Sequence, residues 1–174
     1  GNTAKLLGGQ VVYLKPDSAT YINPLDIVVD KKNVGDPVRE KSDFISQLIE
    51  IILDSPFGVN SIQKVIIDEE VRNLYKPFYD KNGILHPIAR EEMPTLTDLQ
   101  KRIASRPEPE AREISYALKL YSGDGSLNIF GHHTNVDIDN QYLVFNILEL
   151  GDGNLKKVAM FILMNQIWSR VIAN

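Results

Sequence analysis

The side chains best suited to chemistry lie toward the C-terminal third of this sequence. His132-His133 with Asp137 and Asp139 is the cluster whose residue types suit a metal ion. Adjacent histidines point to different sides of most backbones, and no His-x3-His spacing occurs. The cluster therefore reads as a solvated loop that docks onto the core. Glu91-Glu92 and Asp68-Glu69-Glu70 offer the paired carboxylates that general acid–base work needs. Both sit in polar stretches and read as helix-surface charge. Gly151-Asp152-Gly153-Asn154 stands between a strand pattern and a helix pattern, where a helix N-terminus could receive phosphate. It is not Gly-x4-Gly-Lys-Ser/Thr, and Glu149 and Asp152 would repel a triphosphate at close range. Lys156 and Lys157 come a turn later and do not form an enclosing nest. Serine, histidine and aspartate all occur, but without a Gly-x-Ser-x-Gly elbow. The expectation is a chain with no catalytic, cofactor-binding or metal-ligating residue of its own.

The elements that would position these groups follow from periodicity. Tyr142–Glu149 is a nearly continuous apolar run of strand length. Leu143, Phe145 and Ile147 point to one face and Val144 and Leu148 to the other, which predicts a strand covered on both sides. After the glycine turn, Asn154 is the expected N-cap of a helix. Leu155, Val158, Ala159, Ile162, Leu163, Gln166, Ile167 and Val171 share its inward stripe, with Trp168 beside it as core or interface. Toward the other end, Thr3–Leu7 ends at Gly8-Gly9 like the last turn of a helix, so the chain is expected to begin inside an element. Gln10–Leu14 is a short strand, and Tyr21–Val29, interrupted by Pro24, reads as an extended edge segment leaving the sheet.

From Asp36 the period changes from two to 3.6. Asp36 caps a helix with Pro37 at its first position, and Phe44, Ile45, Leu48, Ile49, Ile52 and Leu53 form its apolar stripe. Asn60 and Gln63 resemble a capping box opening a second helix, with Ile62, Val65, Ile66, Leu74, Tyr75 and Phe78 inward. Residues 79–93 read as a loop with a turn at Asn82-Gly83. Pro94-Thr95 opens a third helix, with Leu96, Leu99 and Ile103 inward; Pro107–Glu110 opens a fourth, carrying Ile114, Leu118 and Tyr121. The order is strand, four helices, strand, helix. It divides the chain into a core segment over 1–35, an all-helical insert over 36–122, and a return loop, strand and helix over 123–174. The fold class expected is mainly α with a small parallel β portion, Val11–Leu14 lying parallel to Leu143–Leu148. Two strands and one helix cannot bury both faces of Tyr142–Glu149, so the chain reads as part of a larger α/β protein. At roughly 25 cal/mol per Å² of exposed apolar area, the uncovered faces favour self-association.

Composition bounds the function classes. With 174 residues, 43% hydrophobic and 24% charged, the chain is ordinary globular material. It contains no cysteine, which excludes disulfides and thiolate metal sites. A net charge of −4 excludes a general basic surface for nucleic acid. No apolar stretch reaches the roughly 18 residues of a membrane span.

Three stretches together resemble a known family. Leu6-Leu7-Gly8-Gly9-Gln10-Val11-Val12 leads into Tyr21-Ile22-Asn23-Pro24-Leu25-Asp26-Ile27; Gly125–Phe130 precedes Thr134-Asn135-Val136-Asp137-Ile138; and Leu143–Leu150 leads to a helix ending Gln166-Ile167-Trp168-Ser169-Arg170-Val171. This is similar to the central part of the conjugative-transfer ATPases of type IV secretion systems, the TraC/TrsE-like members of the HerA–FtsK group. The resemblance implies a RecA-like α/β core carrying an all-helical insert. It further implies a bacterial P-loop motor that uses ATP and Mg²⁺ to drive pilus assembly or DNA transfer. Such a parent would be cytoplasmic, peripheral at the inner face of the membrane, and a homo-oligomer such as a hexamer working with other type IV secretion components. The family's phosphate loop would lie before Gly1 and its acidic Mg²⁺-and-water motif after Asn174. Its catalytic residues therefore map onto no position here, and the fragment is expected to be inactive alone. The matched residues Asn23, Pro24, Asp26, Thr134, Asn135 and Asp137 are assigned to packing and turns. Asn23 and Asp26 would bond nearby backbone, and the other three would fix the loop re-entering the sheet. Two other classes compete: a free-standing helical protein-interaction module, and a small metal hydrolase using His132 and His133. The missing sheet speaks against the first and the missing ligand spacing against the second.

Overall fold

The computed structural model describes residues 10–30, 35–138 and 143–173. The expected helix tail at Thr3–Leu7 and the metal candidate Asp139 lie outside them. Two short strands, β1 (Val11–Tyr13) and β2 (Val144–Asn146), pair in parallel with Val12 opposite Phe145. Between them runs a module of four helices, α1 (Pro37–Leu53), α2 (Ser61–Tyr75), α3 (Leu96–Ala104) and α4 (Pro109–Lys119). A fifth helix, α5 (Asn154–Ala173), follows β2 and packs chiefly on α1. The fold class is the expected one, mainly helical with a small parallel sheet, consistent with part of a RecA-like core bearing a helical insert. No helix among the described residues is long and apolar enough to cross a membrane.

Local chemistry sets the helix boundaries. The Asp36 carboxylate accepts from the Val38 and Arg39 amides at 3.1 and 3.2 Å, with Pro37 supplying the preset first turn. α1 ends at Asp54, in the left-handed region at φ 49°. Asn60 and Gln63 satisfy each other's backbone amides at the start of α2, as do Thr95 and Asp98 at the start of α3. The core is continuous through the module: Ile45, Leu48, Ile49, Ile66, Ile67, Val71, Leu96, Leu99, Ile103, Ile114 and Leu118 are all buried. Ile129 and Phe130, on a 3-10 turn of the return loop, close it from one side.

Several expectations are corrected. Of the apolar run, the described part from Leu143 to Glu149 forms only three residues of strand before turning into a 3-10 helix at Leu148–Leu150, and Leu148 is 78% exposed. Val144, on the same alternate face, is 39% exposed, and the pairing with β1 spans Val144 to Asn146. Ile62, Val65 and Ile167, expected inward, lie at the exposed margins of α2 and α5, and Trp168 is 63% exposed. Asn154 is the first residue of α5, and its side-chain amide donates to the Ile51 carbonyl at 2.9 Å. Residues 79–93 are more ordered than a plain loop: Tyr79 and Leu85 form an antiparallel bridge around the Gly83 turn, and Arg90–Glu92 makes a 3-10 turn.

Candidate functional site: a buried polar node

The largest departure from expectation is the segment containing Asn23 and Pro24. Read as an extended edge segment leaving the sheet, it forms no strand, and Ile22, Asn23, Pro24 and Leu25 are buried. A buried non-helical segment carries backbone groups that neither water nor a ladder can satisfy, so each needs a partner from elsewhere. The partners come from five places. The Asn23 amide donates to Thr134 Oγ1 at 2.8 Å, and the Asn23 carbonyl accepts from Gln166 Nε2 of α5 at 3.1 Å. The Pro24 carbonyl accepts from Lys41 Nζ of α1 at 2.9 Å. The Leu25 amide donates to Asn23 Oδ1 at 3.0 Å, and the Leu25 carbonyl accepts from the Tyr75 hydroxyl of α2. The Asn23 side-chain amide donates to the Pro94 carbonyl at 2.8 Å and to Asp26 at 3.2 Å. From Asn23 to Leu25, every backbone donor and acceptor is engaged.

Charge is concentrated at this node. Lys41 is 7% exposed and bonds Asn165 Oδ1 of α5 at 3.3 Å as well as Pro24. Burial pulls its ammonium down to about 8, against the attraction of Asp26 and Glu40. Burial pushes the Asp26 carboxyl up, against the hydrogen bond from Thr134 and the nearby Lys41, Arg90 and His133. Burial likewise raises the Tyr75 phenol well above its ordinary range. The node is a junction of charge and buried backbone. Its chemistry is positional: it fixes where the chain leaves the sheet, where it returns and where α5 lies.

Of the residues singled out from sequence, the structure brings Asn23, Pro24, Asp26 and Thr134 into this node. Asn135 sits beside it: its amide donates to the Ala19 carbonyl at 2.6 Å, and its carbonyl oxygen accepts from the Tyr21 amide at 2.7 Å. Asp137 lies further along the return loop and is exposed. His132 and His133 diverge. His132 Nε2 bonds the Gly123 carbonyl at 2.8 Å with its ring edge-on to Tyr21, and His133 Nε2 bonds the Met93 carbonyl at 2.8 Å. Among the described residues, no three metal-ligating side chains converge. Glu91 and Glu92 are exposed. Glu70 corrects the surface reading of the acidic run, for it is buried and held by Arg102 and Arg106 at 2.8 Å each. Burial acts to raise its carboxyl, but hydrogen bonds from Arg106, Asn73 and Arg102 outweigh that and leave it below the ordinary range.

Lys41 and Asn165 are the node residues that sequence reasoning missed; Tyr75 was placed inward, without its bond to the Leu25 carbonyl. A signal existed for Lys41: it is three residues after Val38 and four before Ile45, on the buried stripe of α1. Gln166, a polar residue on an otherwise apolar stripe, carried the same signal.

No family model matches this sequence, and no curated protein matches it. Among solved structures, the chain superposes on VirB4 of Thermoanaerobacter pseudethanolicus with a TM-score of 0.78 at 16% sequence identity. The chain shares VirB4's fold. The match covers 99% of this chain and 46% of that one, so the chain spans less than half of the VirB4 chain. Sheet, helical module and α5 therefore recur together as one unit in VirB4, at an identity too low to carry more than the fold.

Proposed function

We propose that this chain supplies the helical module and adjoining sheet segment of a VirB4-type motor ATPase of a type IV secretion system. The observation that carries the reading is the likeness to VirB4 along 99% of the chain, with the two parallel strands bracketing the helical module. The conjugative TraC/TrsE-like resemblance of the Ile-Asn-Pro-Leu-Asp and Thr-Asn-Val-Asp stretches supports it. Those two stretches meet at the buried node, where Thr134 and Asp26 bond. The role within the motor is structural and mechanical. ATP and Mg²⁺ act in the parent protein, at a phosphate loop and an acidic motif outside these 174 residues. The partners are further copies of the motor and other secretion components at the inner face of the membrane.

Phosphoryl transfer needs a backbone nest and lysine around the phosphates, Mg²⁺ ligands and a group to orient water. The glycine turn before α5 offers instead an exposed Asp152, ion-paired to Lys156 at 3.4 Å. Titration calorimetry of Mg-ATP into the 174-residue chain should therefore show no saturable heat. The complete reading frame should contain a Gly-x4-Gly-Lys-Ser/Thr motif, and its product should hydrolyse ATP until that lysine is replaced by alanine. A frame without the motif, or a product without hydrolysis, would overturn the motor reading. A micromolar isotherm for the chain would overturn its non-catalytic role.

A further inference from the structure

α5 has two faces. Leu155, Val158, Ala159, Ile162, Leu163 and Gln166 are buried, while Met160, Met164, Ile167 and Trp168 are exposed. The buried face rests chiefly on α1, with the Phe161 and Phe44 rings stacked at 4.8 Å. Polar bonds hold the helix at two levels. At its start, the Asn154 amide holds the Ile51 carbonyl at the end of α1. Three turns later, Asn165 accepts from Lys41 and Gln166 donates to the Asn23 carbonyl. Lys41 belongs to α1 and also holds Pro24, so the second level ties α5, the helical module and the buried turn together in one place.

We propose that Lys41, Asn165 and Gln166 form a latch that couples α5 to the helical module, and that releasing it lets α5 leave the module as a unit. The arrangement favours two discrete states. With the latch half made, the Gln166 side-chain amide or one N–H of the Lys41 ammonium would be left buried without its partner, the arrangement a low-dielectric interior least tolerates. Fully engaged, both are satisfied; fully released, water satisfies them. Packed side chains and buried polar networks switch between such arrangements rather than deforming smoothly. A displacement applied to the open Met160–Trp168 face is thereby delivered to the Asn23–Asp26 turn. Through that turn it reaches Tyr75 of α2 and Thr134 of the return loop. Under the motor reading this is a transmission point between core and helical module; the test below concerns the latch alone, so its failure leaves that reading standing.

The test is amide hydrogen exchange of the 174-residue chain, resolved by peptide. In Gln166→Met, which keeps the volume and removes the donor, exchange across residues 155–169 should accelerate at least tenfold. Peptides of α2, α3 and α4 should stay within about twofold of the wild type. Asn165→Ala, at a half-buried position that spares the core, should show the same selective pattern. Asn165→Asp retains the acceptor for Lys41 and should restore wild-type protection. Acceleration shared equally by α2 to α4 would mean simple loss of stability and overturn the latch. Unchanged exchange in α5 would do the same, and so would Asn165→Asp behaving like Asn165→Ala.

Discussion

The Thr134 hydroxyl donates to the Asp26 carboxylate at 2.6 Å, joining positions 108 residues apart at the two mouths of the helical module. The same oxygen accepts the Asn23 amide at 2.8 Å. One hydroxyl thus serves a half-buried carboxylate and a buried amide. Thr134→Val keeps the shape, strands the buried Asn23 amide and takes one of the Asp26 carboxylate's bonds, so it should destabilise the chain by about 1–3 kcal/mol. Thr134→Ser keeps the hydroxyl and should stay within about 1 kcal/mol of the wild type. Urea denaturation of the three proteins decides; equal losses for Val and Ser would assign the position to packing instead.

The buried lysine sets a pH dependence. Lys41 titrates at about 8 in the folded chain, against an ordinary value of 10.5. Between those values the unfolded chain holds a proton that the folded chain has released. Stability therefore rises with pH through that window, and the contribution is lost as pH falls through 8. From pH 8 to 10 the gain attributable to Lys41 should be about 2 kcal/mol. Above pH 10 the buried Tyr75 phenol works in the opposite direction, because its folded value is raised. Lys41→Met should flatten the slope between pH 8 and 10 in a series of denaturation midpoints. A variant with the wild-type slope would show that other groups produce it.

The close approach of the return loop to the end of α4 gives a third outcome. A methyl group at Gly131 would sit 2.5 Å from the Tyr121 carbonyl oxygen and 2.9 Å from Ser122 Cα, and a methyl at Gly125 would strike the Lys119 and Leu120 carbonyls. Backbone atoms give way poorly, so Gly131→Ala should cost about 1–3 kcal/mol or more. Gly153 has nothing within 4 Å of the same added atom. Gly153→Ala should be nearly neutral in thermal melts, and comparable losses at the two sites would contradict the packing described for the return loop.

What the sequence disclosed follows from the range of the forces involved. The caps at Asp36, Asn60 and Thr95 were legible because each is settled within three residues. The parallel pairing was legible because only a long crossover can join such strands. Asn23 and Pro24 read as an extended edge segment because proline cannot serve in a central ladder. The segment is buried instead, because partners 111 and 143 residues away satisfy Asn23. Such compensation leaves no local pattern. Lys41 was passed over because charge normally marks a solvated face, although its position fitted the buried stripe. Ile62, Val65 and Ile167 were placed inward by a periodicity that gives the direction of a stripe but not its width.

The last expectation concerns the open face of α5. Met160, Met164, Ile167 and Trp168 recur at intervals of four, three and one, which on a helix makes one contiguous apolar strip, and all four are exposed. Leu148 is exposed in the segment after β2, whose two-stranded sheet leaves unpaired backbone edges. Apolar strips and open strand edges both drive association. The isolated chain should therefore self-associate as its concentration rises, and Trp168 fluorescence should shift to the blue as the indole leaves water. Met164→Glu places a charge at the centre of the strip without touching the buried face of α5. It should hold the chain monomeric in sedimentation velocity and abolish the shift, while leaving the far-ultraviolet circular dichroism and melting temperature close to those of the wild type. Association that survives Met164→Glu would assign the contact to the sheet edge, and a monomer at millimolar concentration would remove the prediction altogether.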